Sequence, residues 1–311
     1  MNEYYLEAIG DQEKRQILLL QELILTKSIE FYAKHGVNWL SAPVTTGTIS
    51  SPMGLGSDSQ PVKISLDGCD TYLADSMQFL LEYGCRFFEN GCGYIMPTFR
   101  GEPVDKRHLK QFFHSEAEIP GTLSDVMNLV DEYLKFLVTE IQKKFGARKH
   151  LTDLIENKIP RITFDEATQI LDSEDIEAHE MWRNITTTGE RKLIKHFNGP
   201  VWVMNYDEMA VPFYQRSIDG KAQNADLLLG IGETVGCGER WKDGDEVLSA
   251  LERHQVSPKE YNWYVKMKQE FPLQTAGFGM GIERFLLFVL EKDDIRKMQV
   301  FRRFNDGKDI V

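Results

Sequence analysis

The 311-residue chain sets 36 lysines and arginines against 48 aspartates and glutamates, a formal net charge of −12, and its 42% hydrophobic content is ample for a core. That acidic balance argues against nucleic acid as a partner, because an extended footprint needs clustered cations to neutralise phosphates. Cys69, Cys85, Cys92 and Cys237 show no C-x-x-C or zinc spacing, the N-terminus lacks a basic and apolar leader, and no apolar run reaches membrane-spanning length. These features predict a cytoplasmic protein with reduced thiols and no membrane partner.

In chain order, "EKRQILLLQELILTKSIEFYAKHG" predicts a helix stopped by Gly36, followed by the extended "VNWLSAPVTT". "VKISLDGCDTYLA" reads as a hairpin turning at Asp67 and Gly68, and "DSMQFLLEYGCRFFE" as the helix it feeds. Two strands then flank a charged loop in "GYIMPTFRGEPVDKRHLKQFFHSEAEI". Thr122, with Asp125 three residues on, opens a helix whose apolar residues recur at helical spacing up to Gly146. Residues 150–198 are polar and mixed, and read as a surface excursion around one short helix. "VWVMNY", "DLLLGIGETVG" and "TAGFGMGI" supply three further strands, and a last helix follows. Few strand-helix-strand alternations and no repeats predict a single α+β domain, a mainly antiparallel sheet flanked by helices, over residues 1–311.

Three segments carry polar chemistry. In "GFGMGIERF", Gly277, Gly279 and Gly281 alternate, so a strand would present one bare face, and Arg284 follows in the first turn of the next helix. Such a face suits either close packing on a neighbour or a planar ligand. In "FFHSEAEI", Phe112, His114, Glu116 and Glu118 share one face of a strand, which faces solvent or lines a site. Arg100, at the end of the preceding strand, has the fork geometry for a phosphate, with Glu102, Arg107 and His108 in the loop between. In "DLLLGIGETVGCGER", Asp226 and Glu233 stand seven apart. An unbroken strand would put them on opposite faces, whereas a bulge near Gly230 or Gly232 would bring both to one side, where two carboxylates suit Mg2+.

Together these segments resemble the catalytic core of class II aminoacyl-tRNA synthetases. "TFRGEPVDKRHLKQF" is similar to motif 2 and "GFGMGIERF" to motif 3, while "GETVGCGER" resembles the G-E-x-x-x-G-x-x-R segment of the aspartyl and asparaginyl branch. Within that branch "SPMGLGSDSQPVKISLDGCDTYLADSM" looks closest to stand-alone asparagine synthetases related to asparaginyl-tRNA synthetase. The resemblance implies ATP and Mg2+ as cofactors and assigns roles. Arg100 would hold the α-phosphate, Glu102 and His108 would stand at the ATP, and Phe112 would stack on adenine over the Gly279 and Gly281 face. Arg284 would clamp the γ-phosphate, so that Arg100, His108 and Arg284 carry the catalysis. Asp226 and Glu233 match Mg2+ carboxylates. Ser76, Gln78, Glu116 and Arg240 match the substrate pocket, Arg240 meeting the substrate's side-chain carbonyl or carboxylate. Residues 1–45, ending in a strand that reaches Pro43, match motif 1 and imply a homodimer.

The implied reaction joins a carboxylic acid, aspartate or a relative, to AMP and passes the acyl group to ammonia or an amine. The alternatives are transfer to a tRNA or carrier protein, and a non-catalytic regulatory paralogue. Departures from the branch bear on this choice. Too few residues precede Pro43 for an anticodon-binding barrel. The E-G-G element that grips a substrate ammonium is absent around "SSPMGLGSDSQ", leaving Asp58 as the acid there. Leu81 stands where aspartate-activating relatives place a lysine, and Gln111 replaces a glutamate before the adenine-stacking aromatic.

Overall fold

Asp11 starts the first long helix by accepting hydrogen bonds from the backbone N–H groups of Glu13 and Lys14, and Gly36, at φ 70°, turns the chain away after it. A computed structural model describes residues 4–50 and 60–303, so Asp58 lies outside the described residues. Its helices include α1 (Gln12–Lys34), α2 (Gln78–Gly84), α3 (Leu123–Phe145), α4 (Thr187–His196), α5 (Gly244–Arg253), α6 (Asn262–Glu270) and α7 (Ile282–Leu290). The central sheet has eight strands: β1 (Asn38–Trp39), β2 (Cys92–Phe99), β3 (Gln111–Pro120), β4 (Arg161–Thr163), β5 (Val201–Met204), β6 (Asn224–Leu229), β7 (Gly232–Glu239) and β8 (Thr275–Gly281). They lie in the order β1-β2-β3-β8-β7-β6-β5-β4. Pairing is antiparallel throughout except at the two margins, where β1 runs parallel to β2 and β4 parallel to β5.

The pleat divides β3 into two functions. Ser115 and Ala117 turn toward α1 and α3, where the Ser115 hydroxyl lies 2.6 Å from the Tyr32 hydroxyl and 2.9 Å from that of Tyr133. Phe112, His114, Glu116 and Glu118 turn the other way. Helix α3 begins with the Thr122 and Asp125 capping box, ends at Gly146, and buries Val126, Val130, Leu134, Leu137 and Ile141 against that same side of the sheet. The layer of α1 and α3 therefore closes one face and leaves the other as the floor of a cleft. The hairpin turns at Asp67 and Gly68, both at positive φ, as its sequence predicts.

The segment 150–198 is more than a surface excursion. It supplies β4 at the sheet margin, buries Phe164, Ala167 and Leu193 against Val201 and Val203, and delivers α4 to the cleft. Its scattered apolar residues converge only when the strand joins the sheet, so no local period announces them. A smaller apolar cluster packs α5 and α6 against Phe79, Phe213, Tyr214 and Trp241. Beneath α2 the Lys268 ammonium lies 2.6 Å from Glu82, both side chains fully buried. Among the described residues no helix is long and apolar enough to cross a membrane.

Candidate active site

The glycines of β8 form the floor because of what flanks them. Gly279 pairs with Glu116 of β3 on one side and Gly236 of β7 on the other, and Gly281 pairs with His114. A side chain at Gly277 would collide with the Glu118 carboxylate and come within 2.8 Å of the Ala117 carbonyl. At Gly281 the nearest atoms would stand at an ordinary 3.7 Å. Close packing thus explains Gly277, and an open bed remains over Gly279 and Gly281.

Three guanidinium groups converge on that bed. Arg100 leaves the end of β2, and its backbone N–H bonds the Lys110 carbonyl; its guanidinium lies 5.8 Å from the centroid of the Phe112 ring, and its Nε is buried with no hydrogen-bond partner among the described residues. Arg284, in the first turn of α7, donates to the Glu233 backbone carbonyl at 2.5 Å. Arg107 bonds Glu190 at 2.7 Å and also Thr187, joining the loop to the start of α4. Burial lowers the Arg284 pKa, and the Arg107 and Arg100 charges add to this against the attraction of Glu233. Three partly buried cations around a bare floor suit a polyphosphate. His108 lines the same cavity, with Nδ1 3.0 Å from Asp105. Glu102 does not line it: its carboxylate accepts from the Gln60 backbone N–H at 3.1 Å.

The anticipated bulge is present. Leu227 pairs with Val235 but Leu228 with Glu233, so Thr234 is the extra residue and Asp226 and Glu233 reach one side. A side chain built at Gly236 would stand 3.3 Å from Glu233 and 3.7 Å from Asp226. Burial pushes the Asp226 carboxyl well up, and the charges of Glu233 and Glu190 push it further. That accumulated repulsion is what a divalent cation would relieve. No set of three metal-ligating side chains occurs among the described residues. The converging pair Asp226 and Glu233 suits Mg2+, which takes one or two carboxylates and completes its shell with water and phosphate.

A second cavity continues from the first and holds Ser76, Gln78, Glu116 and Arg240 together. Glu116 accepts from the Ser76 and Tyr94 hydroxyls, each at 2.6 Å, and His114 Nδ1 lies 2.9 Å away. Burial raises this carboxyl, but His114 and the two hydroxyls outweigh it and leave the pKa below the usual value. Arg240 pairs with Glu118 at 3.2 Å, bonds Gln215 at 2.9 Å and lies over the Tyr214 ring. Burial, opposed by Arg240 and reinforced by Glu82, pushes Glu118 up to about 7. Leu81 is buried in the wall. Two acids escape the sequence reading. Asp75 is buried in this cavity, with its carboxylate 2.8 Å from the Ser50 hydroxyl, so Asp58 is not the sole candidate for a substrate ammonium. Glu190 arrives from α4, inside the segment read as an excursion.

The model of the family described as tRNA synthetases class II (D, K and N) matches residues 1–305. The chain belongs to that family. An asparagine–tRNA ligase from Pyrococcus horikoshii is 30% identical over 302 residues, covering 92% of this chain and 68% of that one. One from Lactococcus lactis subsp. cremoris is 27% identical over 319 residues, 94% and 69% of the two chains. The crystal structure of the P. horikoshii asparaginyl-tRNA synthetase complexed with asparaginyl-adenylate superposes with a TM-score of 0.85 at 26% identity, covering 95% of this chain and 70% of that one. The chain is accordingly a class II synthetase that uses ATP and Mg2+ to form an aminoacyl-adenylate, an AMP-forming ligase. Two expectations change. The likeness to stand-alone asparagine synthetases gives way to asparaginyl-tRNA synthetases. The expectation that nucleic acid is an unlikely partner is overturned by the same relatives, which by name act on tRNA; net charge averages over a whole surface and does not report on a local contact.

Proposed function

We propose that the protein activates asparagine as its adenylate and transfers the asparaginyl group to tRNA. The observation that carries the reading is the continuous cleft in which the arginine-ringed glycine floor opens into a pocket holding both Glu116 and Arg240. A carboxamide donates and accepts hydrogen bonds, so it can give to Glu116 and take from Arg240. An aspartate carboxylate only accepts, and would face Glu116 with no lysine at position 81 to offset it. Asp75 is the proposed partner of the substrate ammonium.

In activation the substrate carboxylate attacks the α-phosphorus and pyrophosphate leaves. In this scheme Arg100 holds the α-phosphate, Arg284 the γ-phosphate, His108 the phosphates from the loop, and Phe112 the adenine, so catalysis rests on positioning and on charge already in place. Asp226 and Glu233 are the residues that would hold Mg2+, which neutralises phosphate charge when bound. The homodimer implied by motif 1 belongs to the same proposal, supported by Leu18, Leu25 and Ile29, half-exposed on one side of α1.

The test is exchange of labelled pyrophosphate into ATP, screened over amino acids, followed by charging of total tRNA. Asparagine-dependent exchange with asparagine recovered on tRNA is the expected result. Exchange driven by aspartate alone, or amide formation from ammonia in place of tRNA charging, would overturn the substrate and acceptor assigned here.

A further inference from the structure

The two cavities meet at Arg100, His114, Glu233 and Gly279, which line both. On the adenylate-forming reading the aminoacyl-adenylate would span both cavities, which puts the bond between its acyl carbon and the phosphate oxygen near this junction. Arg100 keeps its charge throughout, Gly279 has no side chain, and Glu233 stands beside Arg284 opposite Asp226. Only His114 presents a ring that can take a proton from a nucleophile and release it again. Its Nδ1 lies 2.9 Å from Glu116, which the Ser76 and Tyr94 hydroxyls hold in place. The Phe112 ring meets the imidazole edge-on at 4.8 Å between centroids. No described residue bonds the opposite nitrogen, Nε2. The Glu116 carboxylate stands beside Nδ1 without hydrogen-bond geometry, so it stabilises a protonated ring by charge, which suits a group that takes up a proton during a reaction.

We propose that His114 is the proton acceptor of the transfer step. The inference rests on the adenylate-forming reading and names a residue to which the motif likeness gives no role. As the nucleophile's oxygen or nitrogen bonds to the carbonyl carbon, its proton passes to His114 Nε2. The bond from that carbon to the phosphate oxygen breaks, and AMP leaves with the electron pair. The imidazolium, stabilised by Glu116 at Nδ1, then returns its proton to solvent. Ionisable groups that share these cavities with His114 include Glu116 on its own strand, Arg100 just after β2, Arg107 and His108 from the loop, Glu233 from β7, and Glu283 and Arg284 from α7, with Tyr94 of β2 behind Glu116.

The experiment uses the full chain, ATP labelled at the α-phosphate and asparagine, with the bound adenylate chased in a single turnover by total tRNA, by ammonium chloride or by buffer alone. Wild-type AMP release is expected to slow toward acid pH, where a protonated imidazole cannot accept. In H114Q and H114N, release is expected to fall on the order of 100-fold and to lose that acid limb, a loss much larger than any in pyrophosphate exchange. Asparagine at this position keeps a donor for Glu116, so restoration of the wild-type rate and profile by H114N would reduce His114 to a positioning role and overturn the proposal. Unchanged release in H114Q would overturn it as well. Absence of exchange in the wild-type protein would instead sink the activation reading, which separates the two failures.

Discussion

Arg284 enters the site with one nitrogen already on the Glu233 carbonyl, and its guanidinium lies among two like charges in a partly buried setting. Such a group gains most when an anion arrives, because the repulsion is then relieved. Replacement Arg284→Ala is expected to lower pyrophosphate exchange by about 100-fold or more, the scale for losing one donor aimed at developing charge, with the thermal midpoint little changed. Retention of wild-type exchange would remove this arginine from the triphosphate. That Arg100, Phe112, Arg240 and Arg284 line the connected cavities was legible because each stands within a short motif whose neighbours are local. Asp75 was not, since its place is set by a hydrogen bond to Ser50, 25 positions away, and Glu190 is held by Arg107, 83 positions away. Glu102 shows the converse: its spacing fits the motif, but in the structure its carboxylate bonds the backbone after the undescribed segment.

At the scale of elements, β8 separates two reasons for glycine that the sequence leaves superposed. Gly277→Ala presses a methyl group into the Ala117 carbonyl and the Glu118 carboxylate, which Arg240 pins, and is expected to destabilise by about 1–3 kcal/mol. Gly281→Ala has room on the protein side, so the fold should hold while the KM for ATP rises severalfold. Urea unfolding together with ATP titration distinguishes the two; equal stability losses would mean that both glycines serve packing alone. The polar row of β3 shows the limit of period-two reasoning. Alternation names the residues that share a face, but whether Glu116 and Glu118 meet water or a cavity depends on β2, β8 and the elements laid across them. The bulge was anticipated within a few residues because two carboxylates an odd distance apart needed one extra residue to converge.

For the whole molecule, His254 reports on pH. It is 2% exposed at the end of α5, and burial lowers its pKa from 6.5 to about 4. The unfolded chain takes up the proton first, so the contribution to stability is present above about pH 6.5 and is lost as pH falls toward 4. The loss is on the order of 3 kcal/mol. Urea unfolding of wild type and His254→Gln at neutral and mildly acidic pH checks this: the difference between them should narrow on acidification, and a constant difference would exclude the linkage. Fold class and the antiparallel sheet were readable from alternation and turns. The expectation against nucleic acid failed because summed charge carries no position, and the 150–198 segment was misread because its buried residues meet only in three dimensions.

The margins of the sheet have a consequence for behaviour at high concentration. β1 has only two residues and β4 three, so the end strands of the central sheet offer little to a foreign extended segment, whereas the hairpin strand Val62–Leu66 presents five residues at the edge of a small sheet. Templated strand addition to the native protein should therefore start at the hairpin before the ends of the central sheet.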